Sequence, residues 1–299
     1  MTDEFDEKSW SLSAVLQVAD NEDLDILVDH LTDSGKGRST LSTVCCQQLL
    51  ACRSAGVYGH SDRNLMADEI RLFGGNSVAN TMRGGEGASY HEIVGDAAKH
   101  LKLDVHGSES VPYVEAQILR RLLLDALDGM SDAQRRSTLS DVGLGDLPGT
   151  TRAEVASALR EAPLHGDVRL NVAAFVADST ATSVLGRGIA VGAKAGLAPT
   201  IAGGLALGTA FIPLALVFGV VALASAAYRV TVPCVIQVAY IRQKAYHKRV
   251  TGVFLDVVGA AASSEKKPWM PPAPKLELPR ASYPKVGRIK SYPAPKGRS

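Results

Sequence analysis

"GGLALGTAFIPLALVFGVVALASAAYRVTVP", Gly203–Pro233, carries no charged residue before Arg229. The uncharged run begins earlier, at Ala195, and ends at Tyr228. One bilayer-spanning helix needs about 20 apolar residues. Two limbs with a turn need roughly twice that, so the expected hairpin is drawn at 189–241 to take in Ile189 and the residues beyond Arg229. Pro199, Gly203, Gly204 and Pro213 supply candidate turns. Gly192 and Gly196, and again Gly204 and Gly208, stand at the four-residue spacing that lets helices approach closely in lipid.

The apolar side chains expected to enter a membrane are Leu205, Leu207, Phe211, Leu214, Leu216, Phe218, Val220 and Leu223. Arg187, Lys194, Tyr228, Arg229, Arg242 and Lys244 are expected at the membrane interface, because cations flank both ends of the run. An arginine at mid-bilayer costs about 2.5–3.5 kcal/mol, so Arg229 belongs at an interface if the segment inserts. The competing reading is a core hairpin inside a soluble helical domain, where glycine and alanine also pack helices closely.

Outward from this segment the chain reads as helical throughout. Apolar residues make up 46% of it and aromatics only 5%, a balance of Ala, Val, Leu and Gly that favours helix packing over strands. No segment alternates as a strand does. In "NEDLDILVDHLT", Leu24, Leu27, Val28 and Leu31 share one face, and Asp20 or Asn21 is the expected cap. Ser39 or Thr40 is expected to start the helix "TLSTVCCQQLLACRSAG". Ser61 is expected to cap a helix that Gly74 and Gly75 end. Asn76 is expected to cap a short helix, "SVANTMR". Ser89 and Glu92 form a capping box ahead of "YHEIVGDAAKHLKL". Helices follow at "SVPYVEAQILRRLLLDALDGM", more weakly at "SDAQRRSTLSDVGL", and then at "RAEVASALREA" and "VRLNVAAFVADSTATSVLGRG".

These elements predict an all-α protein in three parts. Residues 1–145 form an N-terminal helical domain. Residues 146–260 form a helical region with the Gly/Ala-rich hydrophobic hairpin. Residues 261–299, rich in Pro, Lys and Arg, form a disordered tail. Trp269, Tyr283 and Tyr292 in that tail suit a protein partner of SH3-like type, an anionic surface or RNA.

Reactive chemistry is not legible. Cys45, Cys46, Cys52 and Cys234 form no CxxC pair, and the helical setting of the first three favours free thiols over a metal site. The glycine loops lack both phosphate-binding spacings, GxGxxG and GxxxxGK[ST]. HExxH, GxSxG and kinase signatures are missing. Asp68 with Glu69, and His91 with Glu92, are sequence neighbours that do not face one way on a helix, so surface charge accounts for them. No catalytic residue, cofactor or metal is expected. A net charge of +1 argues against nucleic acid as the main partner.

Four blocks carry a resemblance: "DLDILVDHL", "FGGNSVANTMRGGEGASYHEIVGDAAKHLKL", "SVLGRG" and "AYRVTVPCVIQVAYIRQ". Together they resemble the bacterial YaaW-like proteins, over most of the region from Leu24 to Gln243. The resemblance implies an all-helical fold and a loose link to ubiquinol–cytochrome c chaperones, and it brings no catalytic residue with it. The longer apolar run and the basic tail depart from the family pattern. The functional expectation is a non-enzymatic, membrane-associated helical protein, pore-forming or toxin-like in architecture. The alternative is a soluble chaperone-like or scaffold protein that binds a protein partner through its helical surface and tail. Oligomerisation fits either. The acidic N-terminus lacks a signal-peptide core, so the expected location is the bacterial cytoplasm or inner membrane.

Overall fold

The structure, a computed structural model, describes residues 11–33, 41–74, 87–147, 151–161, 166–185 and 228–265. Among them it contains ten helices and no strand, so the protein is all-α. In chain order these are α1 (Leu12–Gln17), α2 (Asn21–Thr32), α3 (Thr43–Ala55), α4 (His60–Gly74), α5 (Tyr90–His100), α6 (Val111–Asp128), α7 (Asp132–Asp141), α8 (Arg152–Glu161), α9 (Gly166–Leu185) and α10 (Tyr228–Glu265). The membrane-inserting candidates from Leu205 to Leu223, with Arg187 and Lys194, lie outside the described residues, as do Asn76 and the expected helix after it.

Local chemistry sets the helix starts. Ser11 Oγ accepts from the Ala14 amide at 3.2 Å to open α1. The α5 capping box forms as its sequence predicts: the Ser89 amide donates to Glu92 at 2.8 Å, and Ser89 Oγ accepts from the Glu92 amide at 3.2 Å. Two expected starts are displaced. Ser42, not Ser39 or Thr40, caps α3 through the Cys45 amide at 3.1 Å. Helix α4 begins at His60, because the Asp62 carboxylate accepts from the Gly59 amide at 2.8 Å and leaves Ser61 inside the first turn. Helix α7, weak in its apolar pattern, has a capping box of its own in Ser131 and Gln134. Thr151 and Glu154 do the same for α8.

Residues Met1–Val253 form one compact unit, and Phe254–Ser299 form a second. Helix α6 is a hub of the first, packing on α5, α8 and α9. Across the expected boundary at 145/146, α6 packs on α8 and α9. Helix α2 packs on α3, α4 and α9, and α4 also meets α1, α3 and α5. Val114, Ile118, Leu122 and Leu123 of α6 and Ile93, Val94, Ala97 and Ala98 of α5 are buried in the core. Arg63 ties two turns together: its Nη1 donates to the carbonyls of Leu16 (2.6 Å) and Ala19 (2.9 Å), and its Nε to that of Tyr58 (3.2 Å). Of the second unit, the described part is the end of α10, to Glu265.

Candidate functional site

Helices α9 and α10 lead into and out of the apolar segment. Amphipathic helices bury one stripe; these two are buried on every side over long stretches. In α9 the buried run is Val172–Thr180 with Leu170 and Ala181, and in α10 it is Val230–Gln243. Residues 230–241, expected as part of a hairpin limb, are thus core helix in this structure. Pro233 sits inside α10, where it lacks an amide hydrogen to donate. Among the described residues no helix is long and apolar enough to cross a membrane.

A helix buried all round has no free face for charge, so its polar side chains must find partners within the protein. Arg242 does so. Its side chain is 0% exposed, and so is that of Glu115 on α6. Arg242 Nε donates to Glu115 Oε2 at 2.7 Å and Nη2 to Oε1 at 3.2 Å, a two-point contact. The Tyr90 hydroxyl, from the start of α5, donates to the same Oε1 at 2.9 Å. Burial and the Glu115 charge both push the Tyr90 phenol well above its ordinary pKa, so it stays a donor. Burial acts against the charge of Arg242, but Glu115 more than offsets it and the guanidinium pKa is raised.

A second cluster lies where α10 passes the start of α2. Gln237 Nε2 donates to the Asp23 carbonyl at 3.1 Å. Lys244 Nζ stands 2.8 Å from both Asp20 and Asp23 carboxylates, and Lys248 Nζ 2.7 Å from Asp20. Asp20 is the α2 N-cap residue yet makes no side-chain cap bond. Its oxygens are taken by the two lysines. Burial raises the Asp20 pKa, but the lysine hydrogen bonds and charges outweigh it and leave the value lowered. Asp23 is more deeply placed, and there burial wins over Lys244 and raises the pKa. Burial lowers the Lys244 pKa, while the two aspartates raise it further, so the ammonium persists. It also stands 5.6 Å from the Tyr240 ring centroid, and burial pushes the Tyr240 phenol up to about 12.

The interface candidates within the described residues therefore divide. Tyr228 stacks on His100, with ring centroids 3.8 Å apart and planes at 12°. Arg229 is exposed. Arg242 faces Glu115 in the protein interior, and Lys244 faces α2. Sequence reading missed Tyr90, Glu115, Asp20 and Asp23 as their partners. Glu115 carried a signal: it stands four residues before Leu119 and seven before Leu122, alone in charge on the apolar face of α6.

The pairs considered for acid–base work are employed elsewhere. His91 Nε2 lies 2.9 Å from the Glu109 carbonyl, and Glu92 belongs to the capping box. Glu69 is buried rather than a surface charge, and burial raises its pKa. All four cysteines are free thiols. Among the described residues no three His, Cys, Asp or Glu side chains are grouped to hold a metal. An open depression of about 390 Å³ lies between α5, the loop after it and the start of α6, lined by His91, Gly95, Lys99, His106, Val111 and Val114.

A helical body that packs against both helices flanking an uncharged segment, and that meets α10 through the buried Glu115–Arg242 pair, defines an all-α class of protein. Comparison with known proteins gives the chain a family. It is 30% identical over 232 residues to the UPF0174 protein YaaW of Escherichia coli K12, covering 76% of this chain and 92% of the relative. It is 32% identical over 198 residues to a UPF0174 protein of Helicobacter pylori J99, covering 62% of this chain and 92% of the relative. The chain belongs to the UPF0174 family of YaaW-like proteins. No family model matches it, and neither does any solved structure.

Proposed function

We propose that this protein is a non-enzymatic, membrane-associated helical protein whose segment between α9 and α10 enters a bilayer. The observation that carries the reading is the uncharged run Ala195–Tyr228, more than enough for one crossing. Its glycine spacing and its flanking cations support a hairpin in lipid. The burial of α9 and α10 supports a division of labour in which the body grips both ends of the run. Insertion is driven by burial of apolar area and needs no cofactor. The test is flotation of the full chain with vesicles, followed by carbonate extraction of cell membranes. The chain is expected to float and to resist carbonate. A chain that stays in the soluble fraction in both assays overturns the reading. Dye leakage from the same vesicles separates a pore from an anchor.

The scaffold reading is favoured by a different observation, the exposure of Val18 (61%), Val44 (73%) and Val57 (64%) on the body. It makes the protein a partner-binding module, and it predicts no vesicle binding.

A further inference from the structure

The stretch Arg242–Arg249 of α10 holds four cations, Arg242, Lys244, Lys248 and Arg249, within two turns of helix. It starts at the end of the buried part of α10 and runs beyond it, on the C-terminal side of the apolar segment. Three of the cations take their counter-charges from elements far away in sequence: Arg242 from Glu115 of α6, Lys244 from Asp20 and Asp23, and Lys248 from Asp20 at the head of α2. His247 also stands 3.3 Å from Asp167 at the start of α9.

Two features of this arrangement are not explained by stability. Buried ion pairs are often weaker than apolar packing of equal volume, so Glu115–Arg242 is a poor way to fasten a helix already buried on every side by mostly apolar residues. Asp20 forgoes capping its own helix to meet two lysines. Both features make sense if the docked state has to be exchangeable. A phosphate diester offers what these carboxylates offer, anionic oxygen acceptors for lysine and a two-point acceptor for arginine. Exchange would leave no cation unpaired, and it would return Asp20, Asp23 and Glu115 to water.

We infer that Arg242–Arg249 is an anionic-lipid binding surface held in reserve: its cations rest on Asp20, Asp23 and Glu115 and trade them for phosphate headgroups at an anionic bilayer. The inference rests on the membrane reading above and adds to it the lipid class and the trigger. Lys248, half exposed, and Lys244, mostly covered, meet the surface first; Arg242, fully buried, leaves Glu115 last. The bilayer can shift the equilibrium only by binding the released form better than the docked one. The apolar segment alone has no reason to distinguish lipid charge, whereas this surface does.

The experiment uses the full chain with phosphatidylcholine vesicles, with and without phosphatidylglycerol, at low ionic strength. The parent is expected to prefer the anionic vesicles. Lys244→Gln with Lys248→Gln is expected to weaken anionic binding about fivefold for each lysine removed and to leave neutral binding unchanged. Asp20→Asn with Asp23→Asn is expected to strengthen it, because two competitors are gone. Hydrogen exchange is expected to show α10 and the head of α2 losing protection on anionic vesicles while α5 and α6 keep theirs. Equal binding of the parent to both vesicle types overturns the inference and leaves the membrane reading standing. No binding by the parent or the aspartate variant to either type overturns both. If the aspartate variant fails to fold, the lysine variant decides: unchanged anionic binding by that variant overturns the inference.

Discussion

Glu115 and Arg242, 127 residues apart in the chain, meet through two hydrogen bonds of 2.7 and 3.2 Å with neither side chain exposed. This contact joins the hub helix of the body to the helix that follows the apolar segment. Breaking it from one side strands a charge in the interior. Glu115→Gln is therefore expected to lower unfolding stability by about 3–5 kcal/mol. Replacing the set together, Tyr90→Phe with Glu115→Leu and Arg242→Met, is expected to be neutral or stabilising by about 1–4 kcal/mol, because no unpaired group remains. Urea denaturation of the two variants checks the contrast. Equal losses in both would show that the pair contributes through packing rather than through charge.

Glycines at two neighbouring sites should respond in opposite ways. A Cβ on Gly87 would stand 2.4 Å from the Arg71 carbonyl carbon, against backbone that cannot swing away. The Ala88 amide donates to the Arg71 carbonyl at 3.0 Å in the same contact. Gly87→Ala is expected to cost about 1–3 kcal/mol, as overpacking does. Gly95, inside α5, has nothing within 4 Å of an added Cβ. Gly95→Ala is expected to gain about 0.5–1 kcal/mol from helix propensity. Thermal melts of the two variants should move to opposite sides of the parent, and a gain from Gly87→Ala would refute the close approach.

Much of this fold was legible in local sequence and much of its polar interior was not. The Ser89–Glu92 box and the apolar face of α2 depend on residues a few positions apart, so spacing alone reveals them. The all-α class followed from composition and from the lack of strand alternation. The start of α3 was misplaced because several hydroxyl residues precede it, and only the geometry of Ser42 selects one. Arg242 and Lys244 looked like interface cations because they follow an apolar run; their partners lie on α6 and α2, more than a hundred residues upstream. No periodicity encodes such a pairing. A glycine- and proline-bearing loop marks a turn, and the packing of α6 on α8 and α9 beyond it depends on contacts that spacing does not encode.

Acid should act on the two aspartates of α2 with opposite signs. Asp23 has a raised pKa in the folded protein, so the fold takes up its proton before the unfolded chain does. Its contribution to stability rises as pH falls from neutral toward the ordinary carboxylate range near about 4. Glu69, also raised by burial, adds to the same trend. Asp20 is lowered, so its contribution is fully present above the ordinary carboxylate pKa and is lost as pH falls through its folded value. The thermal midpoint is expected to climb on mild acidification and to fall below about pH 4. Asp23→Asn should flatten the climb, and Asp20→Asn should soften the fall. A midpoint that declines steadily from pH 7 in the parent contradicts the assignment.

Leu216 and Val220, in the middle of the uncharged run, offer the sharpest test of what that run is for. Lysine at either position would place a charge near mid-bilayer at a cost of about 2.5–3.5 kcal/mol, roughly two powers of ten in the insertion equilibrium. If the run enters lipid, Leu216→Lys keeps the parent's circular dichroism and thermal midpoint in solution. It loses vesicle flotation by about a hundredfold. If the run instead completes the protein's own core, the same lysine is a buried unpaired charge, and the cost appears as a lower midpoint with no vesicle effect to lose. The two outcomes differ in which measurement moves. Arg229→Gln provides the control: at an exposed position beside the run it should change neither the midpoint nor the helicity.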